Sequence, residues 1–272
     1  MAIGSDQDVV HEARKAIKRM RALARLFRQE MGEPDFKRVN SSLREAGQRL
    51  AGARDAQVRL ATLRRLVERH PSALSRPGID LFGAHLEHEH AQAGEPAKSA
   101  QVLEDIAAMR RQLARWNLLE RDFEDLAPGL RRIYKEGRTR YGHAKHERPT
   151  DVGDPHPPSD QAMHDWRKRV KSLYYVLDML GGKHDRGARK ATCRADRLGD
   201  MLGEEHDLWM LGLYASEHPE AFGEDTLARD DLLALIGRRR KRLRKRALKL
   251  GARLYKRSPA RFTQRLRTAF SP

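Results

Sequence analysis

The chain writes one stretch twice, and this repeat limits what it can fold into more than any other feature. His11-Glu12-Ala13-Arg14-Lys15-Ala16-Ile17-Lys18 returns 153 positions later as His164-Asp165-Trp166-Arg167-Lys168-Arg169-Val170-Lys171. In the first copy Val10, Ala13, Ile17, Met20, Ala24 and Phe27 recur at helical spacing and predict a buried stripe. One residue further round run His11, Arg14, Lys18, Arg21, Arg25 and Arg28. In the second copy Met163, Trp166, Val170, Leu173, Leu177 and Leu180 form the apolar stripe. Beside it stand His164, Arg167 and Lys171, followed by Tyr174 and Asp178. Charges in this register flank a core and belong at the mouth of a groove between helices.

The repeat continues past the opening helix. At an offset of 152, Gly47, Leu50, Arg54 and Asp55 match Gly199, Leu202, His206 and Asp207. That period is too long for a solenoid and indicates an internal duplication. Between the copies, residues 148–158 hold four prolines and a glycine and cannot continue a helix. The expected domains are therefore 1–147 and 159–272, with 148–158 as linker. Helices are predicted from Asp6 to about Met31, Asp35 to His70, Ile79 to Ala93, Ala97 to Leu119 and Pro128 to Ala144. In the second half they run from Ser159 to Gly181, Arg186 to His218 and Thr226 to Lys256, before a short amphipathic tail. No sustained alternation of Val, Ile and Thr predicts a strand. The expected fold is all-α: two pseudo-symmetric antiparallel helical bundles facing one another across a basic groove.

The charge says what such a groove would hold. Lys and Arg number 55 against 38 Asp and Glu, a net charge of +17. Like charges at this density repel one another unless a polyanion relieves them, so nucleic acid, an anionic membrane and polyphosphate are the partners to weigh. The opening helix carries Arg14, Lys15, Lys18, Arg19, Arg21 and Arg25, and its repeat Arg167, Lys168, Arg169 and Lys171. Arg131, Arg132, Lys135, Arg138 and Arg140 follow one another on a further helix. Eight of the nine residues from 238 to 246 are basic, among them Arg239, Arg240 and Arg246. Taken alone, that last run reads as a solvated face. Single-stranded nucleic acids are held by aromatic platforms interleaved with cations, whereas aromatics are only 6% of this chain. A polymer of phosphate alone needs Arg forks and Lys point charges instead. His11 and His164 would add a charge that titrates near neutrality.

Other chemistry is thinly represented. Cys193 is the single cysteine, so no internal disulfide can form and a reducing, cytoplasmic setting is expected. No secretory signal and no transmembrane segment is visible. His85, His88 and His90 include one Glu-x-x-His, but a di-iron bundle needs two. His184-Asp185 and His206-Asp207 resemble half of a metal-dependent phosphohydrolase centre. There is no P-loop, nucleophile elbow or dinucleotide turn. A resident metal or cofactor is not expected.

The duplicated His-x-x-Arg helices, Leu50-Ala51-Gly52-Ala53-Arg54-Asp55 with its counterpart Leu202-Gly203-Glu204-Glu205-His206-Asp207, Gly129–Tyr134 and Lys249–Tyr255 together resemble the CHAD family, the conserved histidine α-helical domain. The resemblance covers essentially the whole chain. It implies non-catalytic binding of inorganic polyphosphate in a basic groove, with a role on polyphosphate granules as one use. On that basis Arg54 and His206 join His11, Arg14, Lys15, Lys18, Arg19, Arg21, Arg25, Arg131, Arg132, Lys135, Arg138, His164, Arg167, Lys168, Lys171, Arg239, Arg240 and Arg246 as expected ligands of the polymer. The departures are Tyr174 where the first half has Arg21, and His206 where it has Arg54. Relatives are often fused to a triphosphatase domain, whose Glu-x-Glu-x-Lys motif is missing here. The rival readings are non-specific RNA or DNA binding, with nucleic acid in any case a competitor, and a metal-dependent phosphohydrolase built on His11, His164, His206 and Asp207. Membrane-surface association through the basic helix near 236–257 is a weaker alternative.

Overall fold

The computed structural model describes residues 6–50, 52–92, 122–147, 158–180 and 186–270, with isolated positions between 104 and 114. All regular structure among the described residues is helical. The helices are α1 (Asp6–Leu26), α2 (Arg28–Met31), α3 (Glu33–Arg49), α4 (Gly52–Arg69), α5 (Pro77–Gln92), α6 (Phe123–His146), α7 (Pro158–Met179), α8 (Arg186–Glu217), α9 (Thr226–Leu254) and α10 (Pro259–Phe270). Short 3-10 turns occupy Pro71–Ala73 and Pro219–Phe222. Most of the helix expected over 97–119 and nearly all of the Pro-rich linker lie outside the described residues.

Three elements differ from the periodicity. The first helix is broken at Phe27, and Gly32 then turns the chain into α3 with a positive φ of 75° that suits only glycine well. The second expected helix stops at Leu50, where φ is −93° and ψ 10°. There the Arg14 guanidinium donates to the Leu50 carbonyl, so a side chain replaces the next turn of helix as its partner. The matching Leu202-Gly203 lies inside an unbroken α8. Finally, α6 starts five residues before Pro128 and carries that proline inside. Acidic Glu124 and Asp125 in its first turn favour the earlier start.

Packing divides the chain into two compact units, and they cut across the sequence halves. One comprises residues 1–50, 98–200 and 248–272; the other comprises 51–97 and 201–247. The halves 1–147 and 159–272 are thus not the packed units, because α8 and α9 each contribute to both.

In the first unit the two predicted apolar stripes are buried except at their ends, Val10 and Leu180, which are half-buried. Ile17, Met20, Ala24 and Phe27 of one, and Met163, Trp166, Val170, Leu173 and Leu177 of the other, are all at most 5% exposed. Each large side chain so buried contributes about 1.5–3 kcal/mol of hydrophobic stabilisation. Arg19 pairs with Asp178 at 3.6 Å and Arg25 donates to Ser172 at 3.5 Å, so α1 and α7 run antiparallel. The helix α6 crosses the end of α1 so closely that a Cβ at Gly129 would strike the Leu26 carbonyl. It also meets the end of α9: the Tyr134 hydroxyl donates to the Leu254 carbonyl at 2.9 Å. Gly251 leaves space for the Trp166 and Tyr141 rings, which a Cβ there would meet at 2.6 and 2.9 Å. The Gly129–Tyr134 and Lys249–Tyr255 segments thus meet in one core.

The second unit packs α4, α5 and the parts of α8 and α9 that belong to it around Leu60, Leu63, Phe82, Leu86, Phe222 and Leu232. The Phe82 and Phe222 rings stack at 4.3 Å. Asp225 receives the Gly78 backbone N–H at 3.4 Å and the Ala228 N–H at 3.0 Å, which fixes the start of α9 beside α5.

Candidate anion-binding site

The cationic stripe of α1, continued by Arg28 of α2, lies where its register places it, beside the core. Arg14, Arg21, Arg25 and Arg28 are half-buried and Lys18 is exposed. Its antiparallel neighbour α3 supplies the first polar partners: Asn40 accepts from Arg21 at 3.3 Å, and Leu50 accepts from Arg14.

Toward the end of α1 the arginines converge. Arg25 and Arg28, Arg132 of α6 and Arg169 of α7 line a pocket of about 180 Å³ with Phe36, Asn40, Ile133 and Glu136. Four cations face one carboxylate, which leaves the lining at +3. Arg132 donates to the Arg25 carbonyl at the frayed end of α1, which holds α6 against it. Arg28 lies 4.6 Å over the Phe36 ring and forms a two-point bridge to Glu33 at 2.9 and 2.8 Å. Arg169 meets Glu136 at 2.9 Å.

The electrostatic cost of this cluster is visible in its proton affinities. Burial, with added repulsion from Arg21 and Arg169, lowers Arg25 to about 10. Burial first, then Arg44 and Arg169, lowers Arg21. Burial also lowers Arg132, Glu136 opposing the shift and Arg28 adding to it. Arg28 goes the other way, raised chiefly by its hydrogen bond to Glu33. All stay charged at neutral pH. An incoming anion would restore what desolvation and mutual repulsion have removed.

Other expected ligands are dispersed or engaged. Lys15 pairs with Glu12 at 3.3 Å, Lys168 with Asp165 at 3.4 Å and Lys171 with Asp200 at 3.0 Å. The Lys171 stem lies across Gly199, where a Cβ would meet it at 2.8 Å. Arg167 is half-buried, and Arg131, Lys135 and Arg138 are exposed on α6. In the second unit Arg54 and His206 are half-buried and Arg246 is exposed. Glu204 takes Arg239 at 2.6 Å and Arg69 at 3.3 Å. Glu205, its side chain 5% exposed, takes Arg240 at 3.0 Å and Arg244 at 2.8 Å. The basic run on α9 is therefore partly neutralised from within.

The expectation of a titrating charge is corrected for His164. Burial, then Lys168 and Arg167, lowers His164 to about 4, so it is neutral near pH 7 and adds no charge there. The His11 side chain and His184-Asp185 lie outside the described residues. His85 hydrogen-bonds the Tyr214 hydroxyl at 2.8 Å and His88 pairs with Gln92 at 2.8 Å. Among the described residues no three His, Cys, Asp or Glu side chains group as a metal site. No helix among them is long and apolar enough to cross a membrane.

Arg28, Asn40, Glu136 and Arg169 are the polar pocket residues missing from the sequence-based set. Arg28 carried a usable signal, since it continues the Arg21–Arg25 stripe. Arg169 is on the outward side of the repeated motif, and only the packing of α6 brings it in.

A family model described as the CHAD domain matches residues 1–216. No curated protein and no solved structure matches the chain.

Proposed function

Because the chain belongs to the CHAD family, which is associated with polyphosphate binding, we propose that it binds inorganic polyphosphate without catalysis, through the Arg and Lys side chains flanking its repeated helices. The observation that carries this reading is the arginine cluster of α1, α2, α6 and α7, where four guanidinium groups share one pocket with a single carboxylate. Such an arrangement is stabilised by phosphate oxygens, which accept the two-point hydrogen bonds a guanidinium offers. Lys18 on α1, with Arg131 and Lys135 on α6, would hold further phosphates along a polymer. The two opening helices would act as duplicated counterparts, the first contributing more because Tyr174 and Asp178 replace cations in the second. A cytoplasmic protein of this kind would associate with polyphosphate granules.

The test is retention of long-chain polyphosphate by wild type and by Lys18→Glu/Arg25→Glu, with circular dichroism as the check on folding. Affinity should fall steeply with salt as counterions are released, and the log–log salt slope should flatten by about one for each phosphate that the variant no longer neutralises. Undiminished binding by a folded double variant would remove the assignment. RNA at equal phosphate concentration should compete only weakly, because the cluster has few ring faces for bases. Displacement by RNA at parity would favour nucleic acid as the partner.

A further inference from the structure

The arginine pocket has a shape and a donor set that a uniform polymer groove does not need. Its volume of about 180 Å³ is small against a length of polymer. Phe36 and Ile133, both at most 8% exposed, form apolar wall. Guanidinium groups arrive from α1, α2, α6 and α7 and not from one helical stripe. Among these donors stands one carboxylate, Glu136. A carboxylate opposes any anion unless the anion brings a proton.

An internal phosphate of a linear chain has two free oxygens and no titrating hydroxyl near neutrality. A terminal phosphoryl group has three, and its second proton leaves at a pKa of about 6. It can accept from several guanidinium groups while donating one O–H to Glu136. We propose that this pocket recognises the terminal phosphoryl group of a phosphate chain, whether the end of a polymer or a free short oligophosphate. The inference rests on the polyphosphate reading above and adds end recognition to it.

Calorimetry with tripolyphosphate should show one saturable site on the full chain, weakened about tenfold or more by Arg169→Gln and by Arg28→Gln, since each removes a charged hydrogen-bond donor. Arg28 is 37% exposed, so its variant remains informative if the Arg169 variant fails to fold. Long-chain polyphosphate with both ends capped as phosphoramidates separates the sources. Loss of affinity on capping identifies the polymer end, and tripolyphosphate binding with no capping effect identifies a free short chain. Either result supports the pocket. If tripolyphosphate fails to bind while capped and uncapped polymer bind equally, end recognition is overturned and polymer binding stands. If sulfate binds the pocket as tightly as tripolyphosphate, phosphoryl recognition is overturned. If no phosphate chain binds at all, the underlying polyphosphate reading fails as well.

Discussion

Arg169 Nη1 of α7 lies 2.9 Å from the Glu136 carboxylate of α6, so the acid of the arginine pocket is held by the cation that the second repeat contributes. The pair ties two antiparallel helices together, and Arg140 with Asp165, 3.9 Å apart, repeats the connection one turn along. It also sets the charge that a guest meets.

Replacing Glu136 by Gln should therefore tighten binding above about pH 7, where the guest has lost the proton that Glu136 accepts. Both side chains of the pair are about one-third exposed, and such pairs contribute about 0.2–1 kcal/mol. Tripolyphosphate affinity is expected to rise about two- to fivefold at low ionic strength, with the gain shrinking as salt screens it. Calorimetry at two salt concentrations checks this. Below about pH 6, where the terminal phosphoryl group carries the proton that Glu136 accepts, the gain should reverse.

His164 should act on stability and not on the charge of the site. Its folded pKa is lowered to about 4, against about 6.5 for an unperturbed histidine. Between these values the unfolded chain binds more protons, so acid favours unfolding. The contribution of neutral His164 is complete above about pH 6.5 and is lost as pH falls toward 4. Comparing urea unfolding of wild type and His164→Gln at pH 7.5 and 5 should show the wild type losing more stability. A proton resonance titrating near 6.5 would contradict the buried setting.

Two glycines of α6 should respond oppositely to alanine. At Gly129 a Cβ would collide with the Leu26 backbone carbonyl, which cannot swing aside. Overpacking of that kind costs about 1–3 kcal/mol. At Gly142 nothing lies within 4 Å, so alanine should add up to about 1 kcal/mol through helix propensity. Chemical denaturation of the two variants measures both signs.

Arg240 and Arg244 are expected to be structural more than ligand-binding. Both hold Glu205, whose side chain is 5% exposed. Removing both should destabilise the chain by about 3 kcal/mol, since a nearly buried carboxylate is then left without them. Adding Glu205→Leu should return a large part of that stability. Thermal melts of the double and triple variants decide between this role and direct binding of polymer.

The repeated amphipathic helices, their buried stripes and the all-helical class were legible from residue spacing alone. Ile17, Met20 and Phe27, like Trp166, Val170 and Leu177, are buried because helical period is a local property and apolar residues at that period have one stable destination. The flanking position of Arg14, Arg21 and Arg25 follows from the same geometry. The end of α3 at Leu50 was not legible, because a guanidinium on α1, 36 positions away, takes the place of the next helical turn.

What tertiary structure alone decided is which cations stand together. A stripe gives each side chain a direction about its own axis but not the helix that will pack there. Arg25, Arg132 and Arg169 meet although 107 and 37 residues separate them in turn. Lys171, Arg239 and Arg240, equally basic on paper, face Asp200, Glu204 and Glu205. Charge interactions fall with distance in space, so the same formal charge becomes a site in one place and an internal salt bridge in another.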